Sequence, residues 1–457
     1  MARDSRFSGF SLNYSINFIK YDKQKKSMPT TFYIQNQACP ANFADSEQMA
    51  GLLKEADFEL VENIEDAYVI IHNICTVESP DKNVFFKNLD ILKEENPNQI
   101  HIIAGCIPQG DQQKLKQYSL VGAKQIHNIV QVVEEALHDN VLQLLNNDEM
   151  PPLDLPKIRR SSMVEILPIS RGCLDTCTFC KTKKTRANLV SYPVDEIIAA
   201  AKKALKEEVK EIWLTSHDAF GYGFDINTDL SVLLERLVEI PGDFRIKVGV
   251  GSPDLISKME DKLIEIFKHP KIFKFLHLPL QTGSDTVLRQ MKKRYTVREF
   301  NRILNKFKEA IPSLNVMTDI IVGHPAEQEQ DFWETMEAVR KNSFDSINIF
   351  EFCPQPDTPA AVFRELPVEE VRRRSGVLTD IFNNISRLQN EKWFGWEGII
   401  IIDEKVNDGQ WSGRNNHYKL VVVEGNFRIG DEVKVKIVKT GAFGLKGEWI
   451  KDKVEIF

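Results

Sequence analysis

Three cysteines fall within eight residues of the segment SRGCLDTCTFCKTK (170–183), at Cys173, Cys177 and Cys180. Thiolates are soft ligands that suit zinc or an iron–sulfur cluster. A structural zinc site needs a fourth Cys or His, and none stands nearby after this loop. In a four-iron cluster, three thiolates would leave one iron open. An open iron can chelate a small molecule, whereas a fully ligated cluster can only pass electrons. The other cysteines are Cys39, Cys75, Cys106 and Cys353. Seven is an odd count, and the start of the chain has no apolar core followed by a cleavage site. A disulfide framework is therefore not expected, and the cytosol is the expected compartment. Cys353 reads as a small packed hydrophobe.

The elements that must position these thiols are legible as strand–helix alternation. The chain has 457 residues, 42% of them apolar, which is too long for one ordinary domain. It has no run of about 18 uncharged apolar residues that would span a membrane. Residues 1–29 read as a basic extension. Residues 30–150 read as a doubly wound parallel sheet, with apolar strands at 31–37, 66–74 and 99–105. Cys39, Cys75 and Cys106 each stand at or just after the end of one of these strands. Adjacent strands lie about 4.8 Å apart, so the three thiols could converge on one metal site at a single sheet edge.

After Pro151, Pro152 and Pro156, residues 157–390 carry six strands, at 164–170, 211–216, 245–251, 274–281, 315–323 and 346–352. Amphipathic helices separate them. Six units suggest an open, partial (β/α)6 barrel, in which ligands gather at the C-terminal strand ends. The first cysteine loop follows the first of these strands. Residues 393–457 change character to short alternating strands, a five-stranded all-β barrel. A domain-packing cap is the alternative reading of that module.

The loop and its place resemble the radical S-adenosylmethionine superfamily. Joined with CPANFADSE (39–47), NICTV (73–77), AGCIPQ (104–109), LPLQTGSDTVLRQMKKRY (278–295) and TDIIVGHPAE (318–327), the chain is similar to the radical methylthiotransferases. GRNNHYKLVVV (413–423) and RIGDEVKVKI (428–437) resemble a TRAM domain, the RNA-binding β-barrel of that family. The stretch 173–198, with Lys181-Thr182-Lys183 after the last cysteine, and IWLTSHDAFGYGFD (212–225) look most like the threonylcarbamoyladenosine group. The chain departs from the family pattern at Ala38, His217, His324-Pro325-Ala326 and Gln355-Pro356-Asp357.

The resemblance implies two [4Fe–4S] clusters. Cys173, Cys177 and Cys180 would hold the one that cleaves S-adenosylmethionine to a 5′-deoxyadenosyl radical. Cys39, Cys75 and Cys106 would hold an auxiliary cluster that carries the sulfur. It further implies cofactor contacts from Phe179, Ser216, His217, Ser252 and Gln281. The implied substrate is the adenosine 3′ of the anticodon in tRNA, methylthiolated at C2, with a ferredoxin or flavodoxin as electron donor. A C2–H bond of adenine is not acidic and carries no leaving group, so a hydrogen-abstracting radical suits it where acid–base catalysis fails.

The net charge of −7 argues against a nucleic-acid partner, but its distribution does not. Residues 157–190 hold eight Lys/Arg against two acids, and residues 289–308 hold eight against one. Two basic patches on an acidic body suit a polyanion, although solvated helix faces would give the same counts. Lys183, Lys184, Arg186, Lys292, Lys293, Arg294 and Arg414 are the expected contacts to the anticodon stem-loop. Rival readings are a methylthiotransferase acting on isopentenyladenosine or on a ribosomal-protein aspartate, and a metal-binding RNA-binding protein without turnover.

Overall fold

The computed structural model describes residues 29–37, 39–75, 82–106, 112–145, 150–355 and 357–451. Nearly all of the expected basic extension, together with Ala38 and Pro356, lies outside them. Six parallel strands form the first sheet. They are β1 (Thr31–Gln37), β2 (Glu59–Leu60), β3 (Val69–Cys75), β4 (Ile100–Cys106), β5 (Ser119–Gly122) and β6 (Gln143–Leu144). The order is β2-β1-β3-β4-β5-β6. The buried, unbroken runs of β3 and β4 are those of strands covered on both faces. Strand order reverses between β1 and β3, the switch point where such sheets bind ligands. Cys39 and Cys75 flank that point, and Cys75 is in direct register with Cys106.

The second domain contains β7 (Val164–Pro168), a two-stranded ribbon of β8 (Ser170–Arg171) and β9 (Val190–Ser191), and β10 (Glu211–Thr215). It continues through β11 (Arg245–Val248), β12 (Phe275–His277), β13 (Asn315–Val322) and β14 (Ser346–Glu351). Two three-stranded parallel sheets, β7-β10-β11 and β12-β13-β14, meet where Ile246 exchanges backbone hydrogen bonds with Lys271 and Phe273. This is the six-unit partial barrel expected from the strand count. Ile212, Leu214, Ile246, Val248 and Leu276 pack on Ile197, Leu233, Leu263 and Phe300 of the surrounding helices to form the largest core.

Helix Val368–Glu391 leads to a closed barrel of β15 (Glu397–Asn407), β16 (Gln410–Asn415), β17 (Leu420–Glu424), β18 (Glu432–Thr440) and β19 (Leu445–Trp449). Alternate residues Ile400, Ile402, Val421, Val423, Val433, Val435 and Ile437 fill it. This barrel docks at the N-terminal edges of β12 and β13. There the Lys274 amide donates to the Asn416 carbonyl and the Asn315 side chain to the His417 carbonyl. Tyr418, held at φ +60°, packs its ring against Phe273, Phe275 and Trp213. Lys247 lies over the Trp213, Phe275 and Tyr418 rings, and burial lowers its ammonium to about 8. The packing-cap reading of the tail is thus physically realised at one end of the partial barrel. Among the described residues no helix is long and apolar enough to cross a membrane.

The segment between the first two domains is pinned to helix Pro40–Glu55. The Ile158 amide donates to the Glu47 carbonyl, and the Arg160 amide to the Glu47 side chain. At Gly51 a Cβ would stand 2.3 Å from the Pro156 backbone, so the helix and the segment touch through bare main chain. Burial raises the Glu47 carboxyl from 4.5 to about 7. A carboxyl with a raised folded pKa binds its proton more tightly folded than unfolded. Its contribution is complete below pH 4.5 and is lost as pH rises through 7, on the order of 3 kcal/mol at most. Glu47→Gln keeps the acceptor without the charge. Its melting temperature should therefore exceed that of the unaltered chain by more at pH 8 than at pH 5. An equal gap at both pH values would mean that Glu47 is ionised throughout.

Candidate metal centre

Two sets of three thiols lie one in each of the first two domains, and Arg186, beyond the loop of one set, reaches Cys106 of the other at 3.0 Å. The first set lies on the loop after β8. Gly172 has φ +79°, and a Cβ there would stand 2.0 Å from the Asn188 carbonyl oxygen, which explains glycine before Cys173. The segment after helix Asp285–Gln290 backs the loop: the Thr178 hydroxyl donates to the Gln290 carbonyl and the Thr178 amide to that of Met291. Lys293 Nζ stands 3.1 Å from Asp175 and 3.2 Å from Cys177 Sγ, and Arg294 adds a 2.6 Å bond to Asp175. Burial, then the carboxylate of Asp218, pushes the Cys173 thiol up to about 12. Burial also pushes Cys177 to about 12, against the pull of Lys293. Thiols held this high remain protonated unless a metal displaces the proton.

The second set is Cys39, Cys75 and Cys106. Cys39 is the N-cap of helix Pro40–Glu55, and Pro40 supplies the fixed φ of a first helical turn. Asn42, one turn in, places Oδ1 3.5 Å from Cys39 Sγ and 3.7 Å from Cys106 Sγ. Gly105 sits at φ +96°, and a Cβ there would lie 2.4 Å from the Asn73 side chain and 2.6 Å from the Ile74 carbonyl. Each of Cys106 and Cys173 thus follows a glycine that no other residue could replace without moving the ligand. Cys106 is held well below the usual thiol range. Hydrogen bonding from Cys75 is the main cause; Arg186 and His217 assist, and burial opposes.

Among the described residues no three His, Cys, Asp or Glu side chains stand where they could hold one metal ion together. A cubane cluster places each thiolate on a different iron and so accepts a wider triad. The donor sets, all sulfur and three to a site, fit iron–sulfur clusters with one iron left open.

Several expected contacts are placed differently. Arg186, expected on RNA, is 1% exposed and lies against Cys106, Asn42 and Asp45. Its helix, Thr182–Arg186, turns inward after the cysteine loop, so the side chain cannot meet a phosphate. Lys293 is likewise enclosed by Asp175 and Cys177. Arg414 pairs with Asp403 and stacks on Tyr418 in the interface below the partial barrel. Arg294 is half exposed between Asp175 and Asp254. Lys184 and Lys292 are exposed and Lys183 is partly so. The patch at 289–308 is further thinned where Arg302 and Lys306 pair with Glu260 and Asp261.

The five expected cofactor contacts all lie around the C-terminal ends of the barrel strands. Phe179 packs with Ile321 and Phe352, and Ser216 shares a 2.7 Å hydrogen bond with Ser170. The Ser252 amide donates to Asp218, and Gln281, at φ +67°, exchanges backbone bonds with β13. His217 follows Ser216 after β10, and burial lowers its imidazole pKa. Sequence reasoning missed Asn42, Asp45, Arg171 and Asp218. It also missed a polar group in which His277 and Asn348 both reach Asp319, at 2.9 and 2.8 Å. Asn42 and Asp45 were recoverable from their i, i+3 spacing beside Cys39. Nothing in the sequence joins Arg171 or Arg186 to them. Burial raises Asp218 to about 6 although the Ser252 amide opposes it.

Comparison with known proteins covers all three domains. The profile of the radical SAM superfamily matches residues 167–339, that of the uncharacterized protein family UPF0004 residues 31–123, and that of the TRAM domain residues 399–450. The human threonylcarbamoyladenosine tRNA methylthiotransferase is 36% identical over 456 residues, covering 95% of this chain and 78% of its own. A probable threonylcarbamoyladenosine tRNA methylthiotransferase of Pyrococcus horikoshii is 36% identical over 413 residues, 88% of this chain and 96% of its own. Among solved structures, the radical S-adenosylmethionine methyltransferase TsrM from Kitasatospora setae shares the fold. Its TM-score is 0.53 at 11% identity, over 74% of this chain and 75% of that one.

The two thiol sets set a count. Anaerobically reconstituted chain should hold about eight iron and eight sulfide, from two four-iron clusters. Cys173→Ala should retain about four of each. Zinc at the Cys39, Cys75 and Cys106 site, with about four iron in the unaltered chain, would overturn the cluster reading of the second triad.

Proposed function

The chain belongs to the threonylcarbamoyladenosine tRNA methylthiotransferase family, and from that membership we propose that it converts N6-threonylcarbamoyladenosine beside the tRNA anticodon to its 2-methylthio derivative. The observation that carries this reading is the pair of thiol triads brought to one domain seam. The relatives' names supply the nucleoside. The reaction uses S-adenosylmethionine and [4Fe–4S] clusters held by Cys173, Cys177 and Cys180 and by Cys39, Cys75 and Cys106. With these bound, the first site supplies a hydrogen-abstracting radical and the second supplies sulfur.

The protein's own residues position and seal. Asp175, held by Lys293 and Arg294, braces the loop between Cys173 and Cys177. Phe179, Ser216, Ser252 and Gln281 line the strand ends where S-adenosylmethionine would lie. Asp218, which holds the Ser252 amide, adds a carboxylate there. His277, Asp319 and Asn348 offer a polar wall for the adenine. Lys183, Lys184 and Lys292 are the contacts we assign to phosphate, and a ferredoxin or flavodoxin supplies single electrons in the cytosol.

Nucleoside mass spectrometry is the direct test. Transfer RNA carrying threonylcarbamoyladenosine should gain a methylthio group, and tRNA carrying isopentenyladenosine should not. Cys75→Ala should still release 5′-deoxyadenosine on reduction but form no methylthio product, whereas Cys177→Ala should do neither. Absence of 5′-deoxyadenosine from the unaltered, reduced protein would favour a binding protein without turnover. RNA contact has its own signature. Affinity should fall steeply with salt, with a slope of about −0.7 to −0.9 per phosphate neutralised. Replacing Lys183 and Lys184 with Ala should reduce that slope by about 1–2, and an unchanged slope would remove both from the interface.

A further inference from the structure

We propose that Arg186, carried by the barrel domain, is a positioning residue for the auxiliary site of the N-terminal domain: it donates to the Cys106 sulfur and makes a cluster bound there easier to reduce. This rests on the reading of Cys39, Cys75 and Cys106 as cluster ligands, and goes beyond it.

Arg186 stands six residues after Cys180, yet it points away from that cysteine's loop and across the domain seam. Its Nε lies 3.0 Å from Cys106 Sγ, and its Nη2 lies 2.7 Å from Asn42 Oδ1 and 3.2 Å from Asp45 Oδ2. Asp45 is shared with a second buried arginine, Arg171, at 2.8 Å. Among the described residues, two guanidinium groups share one carboxylate in a region where Arg171, Arg186 and Asp45 are all at most 3% exposed. An uncompensated buried charge costs several kcal/mol, so such a pocket favours an anion. Cys106, whose Sγ lies 3.0 Å from Arg186 Nε, is placed to supply one as its thiolate.

Hydrogen bonds to the sulfurs and local charge set the potential of an iron–sulfur cluster. Reduction adds one negative charge, which the buried Arg186 guanidinium and its Nε–H donor stabilise. Arg186 comes from the barrel domain, in the segment leaving the other cysteine loop. The auxiliary site is therefore electrostatically complete only with the barrel docked against it.

The test is a redox titration followed by electron paramagnetic resonance on the full chain loaded with both clusters. The auxiliary signal is identified as the one that persists in Cys173→Ala. Arg186→Gln should lower its ratio of reduced to oxidised cluster at a fixed potential at least tenfold, which is 59 mV for one electron. The other cluster's ratio should not move. Arg186→Lys, which keeps the charge and loses the Nε donor, should shift the auxiliary ratio in the same direction by a smaller factor. Should Arg186→Gln fail to fold or to hold iron, Arg186→Lys decides. Eight iron retained with unchanged potentials would overturn this proposal alone. About four iron in the unaltered chain would overturn both it and the ligand reading beneath it.

Discussion

Asp45 binds two domains at one point. A carboxylate 1% exposed accepts ion pairs from Arg171 and Arg186. One of these arginines lies two residues before Cys173, and the other six residues after Cys180. Both ends of the first cysteine loop are thereby tied to the helix that begins at Cys39. Removing either partner from a buried pair leaves an unpaired charge, typically a loss of 3–5 kcal/mol. The first cysteine loop is consequently tied by charge at the seam to the helix that begins at Cys39. Apolar contacts of Phe43 and Ala44 with Val164 and Ile166 continue the same seam.

Around that constraint the backbone is specialised at few places. Gly105 and Gly172 take positive φ and admit no Cβ, and each delivers the cysteine that follows it. His277, Asp319 and Asn348 lie inside the partial barrel, between the C-terminal strand ends and the aromatic floor formed by Trp213, Phe275 and Tyr418.

That floor changes how the C-terminal barrel is to be understood. Tyr418 and its neighbours cover Phe273, Phe275 and the Lys247 ammonium at the strand N-termini. The barrel therefore serves the core of the second domain as well as any RNA. Arg414 is held in this contact, so a basic residue of the TRAM domain is a packing residue here.

Much of the molecule was legible in the sequence because its signals are local. Apolar runs gave the strands, alternation with helices gave the parallel sheets, and the six cysteines were found from strand ends and loop spacing. The positions of Cys75 and Cys106 in adjacent, registered strands followed from the pattern alone, since parallel neighbours must end on the same edge. What the sequence could not determine was the direction of long charged side chains. Arg186 and Lys293 stand in basic stretches with the composition of a phosphate-binding surface. Their partners, Asp45 and Asp175, lie 141 and 118 residues away along the chain. Charge counted along a sequence does not say whether a cation meets solvent or a buried anion. Only the docking of one domain on another decides that, because burial makes an unpaired charge too costly to keep.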